Sequence, residues 1–341
     1  MDERLLFQSP VFDPVALFLA SLILAVLATK VCKALALRAG FRAEPNPLIP
    51  QHIEPVAYLG GVGVAVPIFA GTAILIASNS WVPARDLVAM QLGVFVFLGL
   101  GTADDILEFS PSIKLLLQVL CSGLMVSLGF IADWTGQASV DFALSVIWIV
   151  GIVNAVNFTD VSDGLVGGLT VVCLSGLWFL MPGDQNIILI SAGACLGFLW
   201  LNWPPAQIYL GDAGTHLIGS LLALLGLRFI ESGDPWFRAS AVLLLLGVFV
   251  FEAVFISAAR IAKGLPWWKG SPDHFSLRLQ NSGYSRSQVN GIALFCGAML
   301  AIGVIGLVGS SASWATAIYG SVFGMAIFAW RRLWVMSPPS T

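Results

Sequence analysis

The chain has 341 residues, of which 58% are hydrophobic and only 10% charged, with a mean hydropathy of +0.90; soluble domains carry roughly 25% charge. That composition excludes an ordinary soluble fold and places the chain in a bilayer. A net charge of −3 gives no electrostatic footing for nucleic acid, so none is expected as a partner.

In chain order, apolar runs long enough for the roughly 20-residue crossing of a bilayer predict helices near 15–37, 56–78, 87–104, 113–131, 140–157, 165–181, 186–202, 215–230, 239–262, 288–308 and 312–333. The expected fold is all-α, a single polytopic membrane domain over 1–341 with about 10–11 transmembrane helices and one long inner loop at about 263–287. The opening "MDERLLFQSP" has no basic n-region and no small-residue cleavage site, so the first span is expected to be kept. With the N-terminus outside, only Arg4, Arg85, Arg228 and Arg238 of the 16 Lys and Arg fall on the outer side. Short cytoplasmic loops are enriched in these residues, which puts the C-terminus in the cytoplasm and the protein in the inner membrane. The five cysteines lie in or near apolar spans without CxxC spacing and read as small buried hydrophobes.

Four segments carry the chemistry, all on the inner side. "GTADDILEF" ends the third span with Asp104, Asp105 and Glu108, and Asp104 or Asp105 shares a helical face with Glu108 if the helix continues. Like charges there repel unless a cation compensates, so something positive is implied; a solvated helix end is the plain alternative. "NAVNFTDVSDGLVGG" sets Asn154, Asn157, Asp160 and Asp163 at intervals of three before Gly164, lining one face with amides and carboxylates, although Asx-rich stretches also serve as caps and turns. "GDAGTHLIGS" places Asp212 at a helix start, where exposed amides attract anions and a carboxylate can hold a hard cation that the anion shares. "SPDHFSLR" brings Asp273, His274 and Arg278, the last two four residues apart and both able to donate to phosphate. His52 and His216 sit in separate segments without an HxxxH pattern, so the oxygen donors point to Mg2+ or Mn2+ rather than zinc. Such a set suits phosphoryl transfer between a soluble phosphate donor and a membrane-held acceptor. A polytopic transporter would instead bury its ionisable groups near the midplane and often show paired halves, neither of which is visible.

These segments resemble those of the polyprenyl-phosphate N-acetylhexosamine-1-phosphate transferases. The family's DD helix end with a following Lys and Gln looks like Asp104, Asp105, Lys114 and Gln118; its NAxNxxDGxDGL segment is similar to "NAVNFTDVSDGL", and its GDxGSxxLG segment to "GDAGTHLIGS". The resemblance runs from about residue 30 to 290 and implies transfer of a sugar 1-phosphate from a UDP-N-acetylhexosamine to undecaprenyl phosphate, with magnesium and release of UMP. It implies that Asp212 and Asp105 hold the metal, and that Asp104 and Asp105 position it or deprotonate the lipid phosphate. Lys114, Asn154, Asn157, Asp160, Asp163 and Gly164 would form the substrate pocket, His274 and Arg278 would grip the diphosphate, and a homodimer is compatible with the reading. There are departures. Glu54 and Tyr58 stand where Lys and Arg are common, and "HFSLR" has Ser276 and Leu277 in place of two histidines. These move the chain away from the muramoyl-pentapeptide branch towards the N-acetylglucosamine-1-phosphate branch, or towards a catalytically weakened member. Glu252, within a span, is functional by default or forms an ion pair with Arg260; Trp267 and Trp268 are expected to be interfacial anchors.

Overall fold

The computed structural model describes residues 13–44, 54–78, 82–308 and 312–339; the expectations for "MDERLLFQSP" and His52 lie outside them. The first helix, α1 (Pro14–Ala39), begins where the Asp13 carboxylate accepts the Val15 amide at 2.8 Å and Pro14 occupies the first turn, a position whose missing N–H costs nothing. It ends at Gly40, which is left-handed at φ 72°, a conformation open to glycine without a Cβ penalty. A short hairpin follows, in which β1 (Arg42–Ala43) pairs antiparallel with β2 (Val56–Ala57) and Arg42 faces Ala57.

The rest is helical: α2 (Gly60–Ala77), α3 (Ala84–Leu107), α4 (Pro111–Ser127), α5 (Ala138–Thr159), α6 (Leu165–Leu180), α7 (Gln185–Asn202), α8 (Gly211–Glu231), α9 (Pro235–Leu245), α10 (Gly247–Ala262), α11 (Phe275–Asn281), α12 (Arg286–Leu307) and α13 (Ala312–Val335). Every span expected from the sequence finds a helix. Among the described residues, seven are long and apolar enough to cross a membrane, or eight when α9 and α10 count as one crossing. The expected span at 239–262 is in fact this pair, bent by 79° at Leu246. With 17 and 16 residues, α4 and α6 reach only about 25 Å at 1.5 Å per residue, short of the roughly 30 Å hydrocarbon layer. The loop expected at 263–287 contains α11.

Helix α8 is the centre of the bundle. Nearly all of its residues are buried, as befits a helix apolar on every side, and α2, α3 and α5 pack around it. In a bilayer apolar burial between helices has little driving force, so close packing must hold them. Gly101 on α3 illustrates this: a Cβ there would lie 2.5 Å from the Asp212 carbonyl carbon and 2.7 Å from the Ala213 Cα. The end of α3 is thereby pressed against the start of α8. At the other end of α8, Arg228 joins Asp86 and Asp184, each at 3.1 Å.

Candidate active site

Chain reversals bring the C-terminal ends of α3, α5 and α7 and the N-terminal ends of α4 and α8 to one end of the bundle, around a cavity of about 960 Å³ that the hairpin and Trp267–Trp268 complete. Asp104 is buried on its floor. One of its carboxylate oxygens accepts the Phe109 amide at 2.9 Å, closing α3, and the other is 2.7 Å from the Lys114 ammonium. The same ammonium lies 2.9 Å from Asp212 Oδ2. Asn157 donates to the remaining Asp212 oxygen and, at 2.9 Å, to Thr215 Oγ1. The positive group demanded by the acidic helix end is therefore Lys114, held between two carboxylates.

Asp105 has another task. Its two oxygens accept the amides of Asp212, at 2.8 Å, and Ala213, at 3.0 Å, so the amides expected to be open for anions at the start of α8 are already occupied by a protein carboxylate. Asp105 lines the same cavity as Asp212, and through these two bonds its side chain braces α8 and orients Asp212. Behind Asp212 a buried chain of groups runs from Asn154 through the Gln118 carbonyl at 2.7 Å, then from the Gln118 amide to His216 Nε2 at 2.9 Å, and from His216 Nδ1 to the Asp212 main-chain oxygen at 2.8 Å. Only one proton arrangement satisfies it, with the amide donating to Nε2 and Nδ1–H donating to the carbonyl, so the imidazole is neutral. Asn154 lines the cavity and is tied to Asp212 through Gln118 and His216.

Asp160 caps α5 and faces the cavity. No side-chain or amide donor among the described residues bonds its carboxylate, and burial together with the nearby charges of Asp212, Asp105 and Asp163 pushes its pKa up to about 8. Burial and the same acidic surroundings also raise the Tyr58 phenol. Asp163 lines the cavity, yet it is tied to the Ala206 amide at 3.0 Å and to Arg286, while its carbonyl accepts from Asn290. Gly164, left-handed at φ 75°, donates its amide to Asn202 at 2.9 Å. These two fasten the turn between α5 and α6.

His274 and Arg278 are not brought to the cavity. His274 Nδ1 is 2.6 Å from Glu252 Oε1, whose other oxygen accepts the Phe275 amide. Arg278 pairs with Asp273 at 2.7 Å and donates to the carbonyls of Leu333 and Met336. Burial opposes ionisation of Asp273, but Lys263 and Arg278 outweigh it and hold the carboxyl below its usual range. Nor does Glu252 pair with Arg260, whose guanidinium donates to the Trp267 carbonyl at 2.7 Å and to Ser271 and lies 5.4 Å from the Phe158 ring. Trp267 and Trp268 also line the cavity while their rings stay partly exposed. Two contributors are not evident from sequence. Arg42 reaches the rim from the hairpin, without a carboxylate partner among the described residues. His216 carries only the weak signal of standing four residues beyond Asp212.

No cluster of three or more His, Cys, Asp or Glu side chains forms a closed metal cage among the described residues. Magnesium needs none, being commonly held by one or two carboxylates plus substrate phosphates and water. Asp212, with 30% of its side chain exposed, and Asp160, with no hydrogen bond to satisfy it, are hard oxygen donors facing one polar space. This set fits such an ion.

Residues 87–230 match the family described as glycosyl transferase family 4. A phospho-N-acetylmuramoyl-pentapeptide-transferase of Microcystis aeruginosa is 30% identical over 253 residues, covering 64% of this chain and 68% of that protein. The chain belongs to glycosyl transferase family 4. A probable undecaprenyl-phosphate N-acetylglucosaminyl 1-phosphate transferase of Bacillus subtilis is 28% identical over 300 residues, 84% of this chain and 80% of that protein. The decaprenyl-phosphate N-acetylglucosaminephosphotransferase of Mycobacterium tuberculosis is 28% identical over 235 residues, 60% of this chain and 57% of that protein. The family 4 match spans α3 to α8, the helices that carry Asp104, Lys114, Asn157 and Asp212.

Proposed function

We propose that the protein transfers a sugar 1-phosphate from a UDP-N-acetylhexosamine to a polyprenyl phosphate. An oxygen of the lipid phosphate attacks the sugar-bearing phosphorus, the bond from that phosphorus to the bridging oxygen breaks, and UMP leaves with the electron pair. A polyprenyl diphosphate sugar remains in the membrane. The observation that carries this reading is Asp212, held between Lys114 and Asn157 at 2.9 Å and hydrogen-bond distance, on a polar cavity at the end of an apolar bundle. There a water-soluble donor and a membrane-held phosphate can meet.

A magnesium ion bound there would neutralise phosphate oxygens as charge moves between them. Asp212 and Asp160 would hold it. Lys114 keeps the Asp212 carboxylate at one orientation and supplies fixed positive charge beside the reacting phosphates, where a low-dielectric site makes it count most. Asp105 and the chain from Asn154 to His216 fix the α8 terminus, so that Asp212 is positioned before either substrate arrives. With His274 and Arg278 withdrawn, Arg42 is the rim cation available to a diphosphate oxygen. The lipid phosphate is already an anion near neutral pH, so attack needs no protein base. Sidedness follows the distribution of Lys and Arg: the cavity faces the cytoplasm, where UDP-sugars are made.

The test is UMP release by purified protein given undecaprenyl phosphate, magnesium and a panel of UDP-N-acetylhexosamines. Release that is lost in Asp212→Asn at unchanged helical content supports the assignment. No release with any nucleotide sugar overturns it.

A further inference from the structure

A second cavity, of about 350 Å³, lies between α1 and α7 and shares no lining residue with the first. Its walls are Lys30, Lys33, Ala34 and Leu37 from α1, Trp200 and Leu201 from α7, and Gln207 from the connection to α8. The two helices run parallel, since Gly193 packs on Phe18 and Ser21 and Gly197 on Leu22 and Ala25. Carried forward, this register puts the end of α7 at Asn202 about level with residue 30 of α1, which continues for some two further turns to Ala39. Lys30 and Lys33 therefore stand where the neighbouring helix leaves the hydrocarbon, at the depth of lipid headgroups.

The surroundings suit that depth. Trp200 is 77% exposed beside the cleft, as aromatic side chains at a membrane interface are. Leu27, Val31 and Leu35 leave an apolar strip exposed along α1. Lys33 donates to the Gln207 carbonyl at 2.8 Å, and neither lysine meets a carboxylate among the described residues. Two ammonium groups and an amide thus flank a small cleft beside an acyl-facing surface, with no acidic residue in its walls. Basic pockets of this kind between spanning helices recognise anionic headgroups.

We propose that the cleft between α1 and α7 binds the phosphate head of an anionic glycerophospholipid, with an acyl chain along the exposed strip of α1. The occupant is a resident lipid rather than the reacting polyprenyl phosphate, because the cleft contains none of the residues around Asp212.

Two measurements on the full chain test this. In native mass spectrometry from detergent, phosphatidylglycerol should be retained and phosphatidylcholine should not. The Lys30→Gln/Lys33→Gln variant should bind phosphatidylglycerol about 30-fold more weakly, each lysine contributing about fivefold, at unchanged unfolding temperature. Acetylation of the unaltered protein keeps the test independent of the variant's folding: phosphatidylglycerol should slow modification of Lys30 and Lys33 several-fold more than phosphatidylcholine does. Equal retention by a folded variant overturns the proposal. So does equal protection by phosphatidylcholine or inorganic phosphate, or protection by undecaprenyl phosphate at concentrations as low as those of phosphatidylglycerol.

Discussion

Asp105 on α3 and Asp212 on α8, 107 positions apart, are joined through the main chain: the Asp105 carboxylate accepts the Asp212 amide at 2.8 Å and the Ala213 amide at 3.0 Å. One acidic side chain thus fixes the orientation of another. Asp105→Asn leaves one acceptor for two amides and turns an NH2 towards the second, an unsatisfied donor costing about 1–3 kcal/mol. Because misplacement by about 1 Å can cost a factor of about 100, UMP release should fall about 100-fold with KM little changed. Steady-state kinetics over both substrates measure this, and a variant within threefold of the parent in kcat would remove Asp105 from the machinery.

Lys114 is the ion that lets Asp104 and Asp212 share a floor, with contacts of 2.7 and 2.9 Å and only 17% of its side chain exposed. Lys114→Gln leaves two facing carboxylates uncompensated, and breaking a buried pair of this kind costs about 3–5 kcal/mol. The variant should unfold at a lower temperature, and adding Asp104→Asn should restore most of the loss because the repulsion goes with it. A divalent cation should raise the variant's unfolding temperature more than the parent's. Thermal unfolding of the four proteins, with and without magnesium, closes the comparison, and additive losses in the double variant would refute the shared-cation account.

His274 and Arg278 lead to an opposite expectation. Their partners are Glu252, Asp273 and the carbonyls of Leu333 and Met336, so they lock α11 to α10 and to the end of α13. His274→Gln should lower the unfolding temperature by several degrees, since the buried Glu252 side chain loses its 2.6 Å hydrogen-bond partner, while the folded fraction keeps kcat within about threefold. Kinetics normalised to folded protein distinguish this from a role at the diphosphate, which would show as a loss of a hundredfold or more in kcat.

This contrast marks what was legible in the sequence. The apolar runs gave the helices nearly one for one, because a bilayer imposes length and polarity on each span separately. Asp104, Asn157 and Asp212 could be singled out because each is polar at the edge of an apolar run, and Lys114 through the family resemblance. What each does depends on distant partners: that Asp105 accepts an amide pair is decided by the start of α8, and that His274 faces Glu252 by the fold of α10. The break at Leu246 was equally hidden, since residues 241–251 around it form an apolar run interrupted only by Gly247 and contain no proline. Arg42 was hidden too, because its place at the rim comes from a two-residue strand pair with no periodicity to read.

Gly101 offers a prediction that composition alone would never suggest. A methyl group there would lie 2.5 Å from the Asp212 carbonyl carbon, and backbone atoms cannot yield as a side chain can. Gly101→Ala should push the α8 terminus from α3 and lengthen both amide bonds to Asp105, lowering kcat at least tenfold though no cavity group is altered. Gly99→Ala, where nothing lies within 4 Å of the added methyl, should behave as the parent. Equal kinetics for the two alanine variants would show that the contact does not set the position of Asp212.

Asp160 sets a pH dependence whose direction can be worked out. Burial first, then the carboxylates of Asp212, Asp105 and Asp163, raise its pKa to about 8, whereas in the unfolded chain it titrates near the usual value of about 4. Between these values the folded protein binds more protons than the unfolded one, so stability falls as pH rises. The group's contribution is flat below about pH 4 and above about pH 8. Asp160→Asn keeps the shape but cannot ionise, so the unfolding temperature of the variant should exceed that of the parent by a margin that grows from pH 5 to pH 8 and then levels. Magnesium favours the ionised carboxylate and should narrow the margin at pH 8 if Asp160 is among its ligands. Unfolding temperatures recorded across that range supply the measurement, and parallel curves for the two proteins would mean that Asp160 is already ionised in the fold.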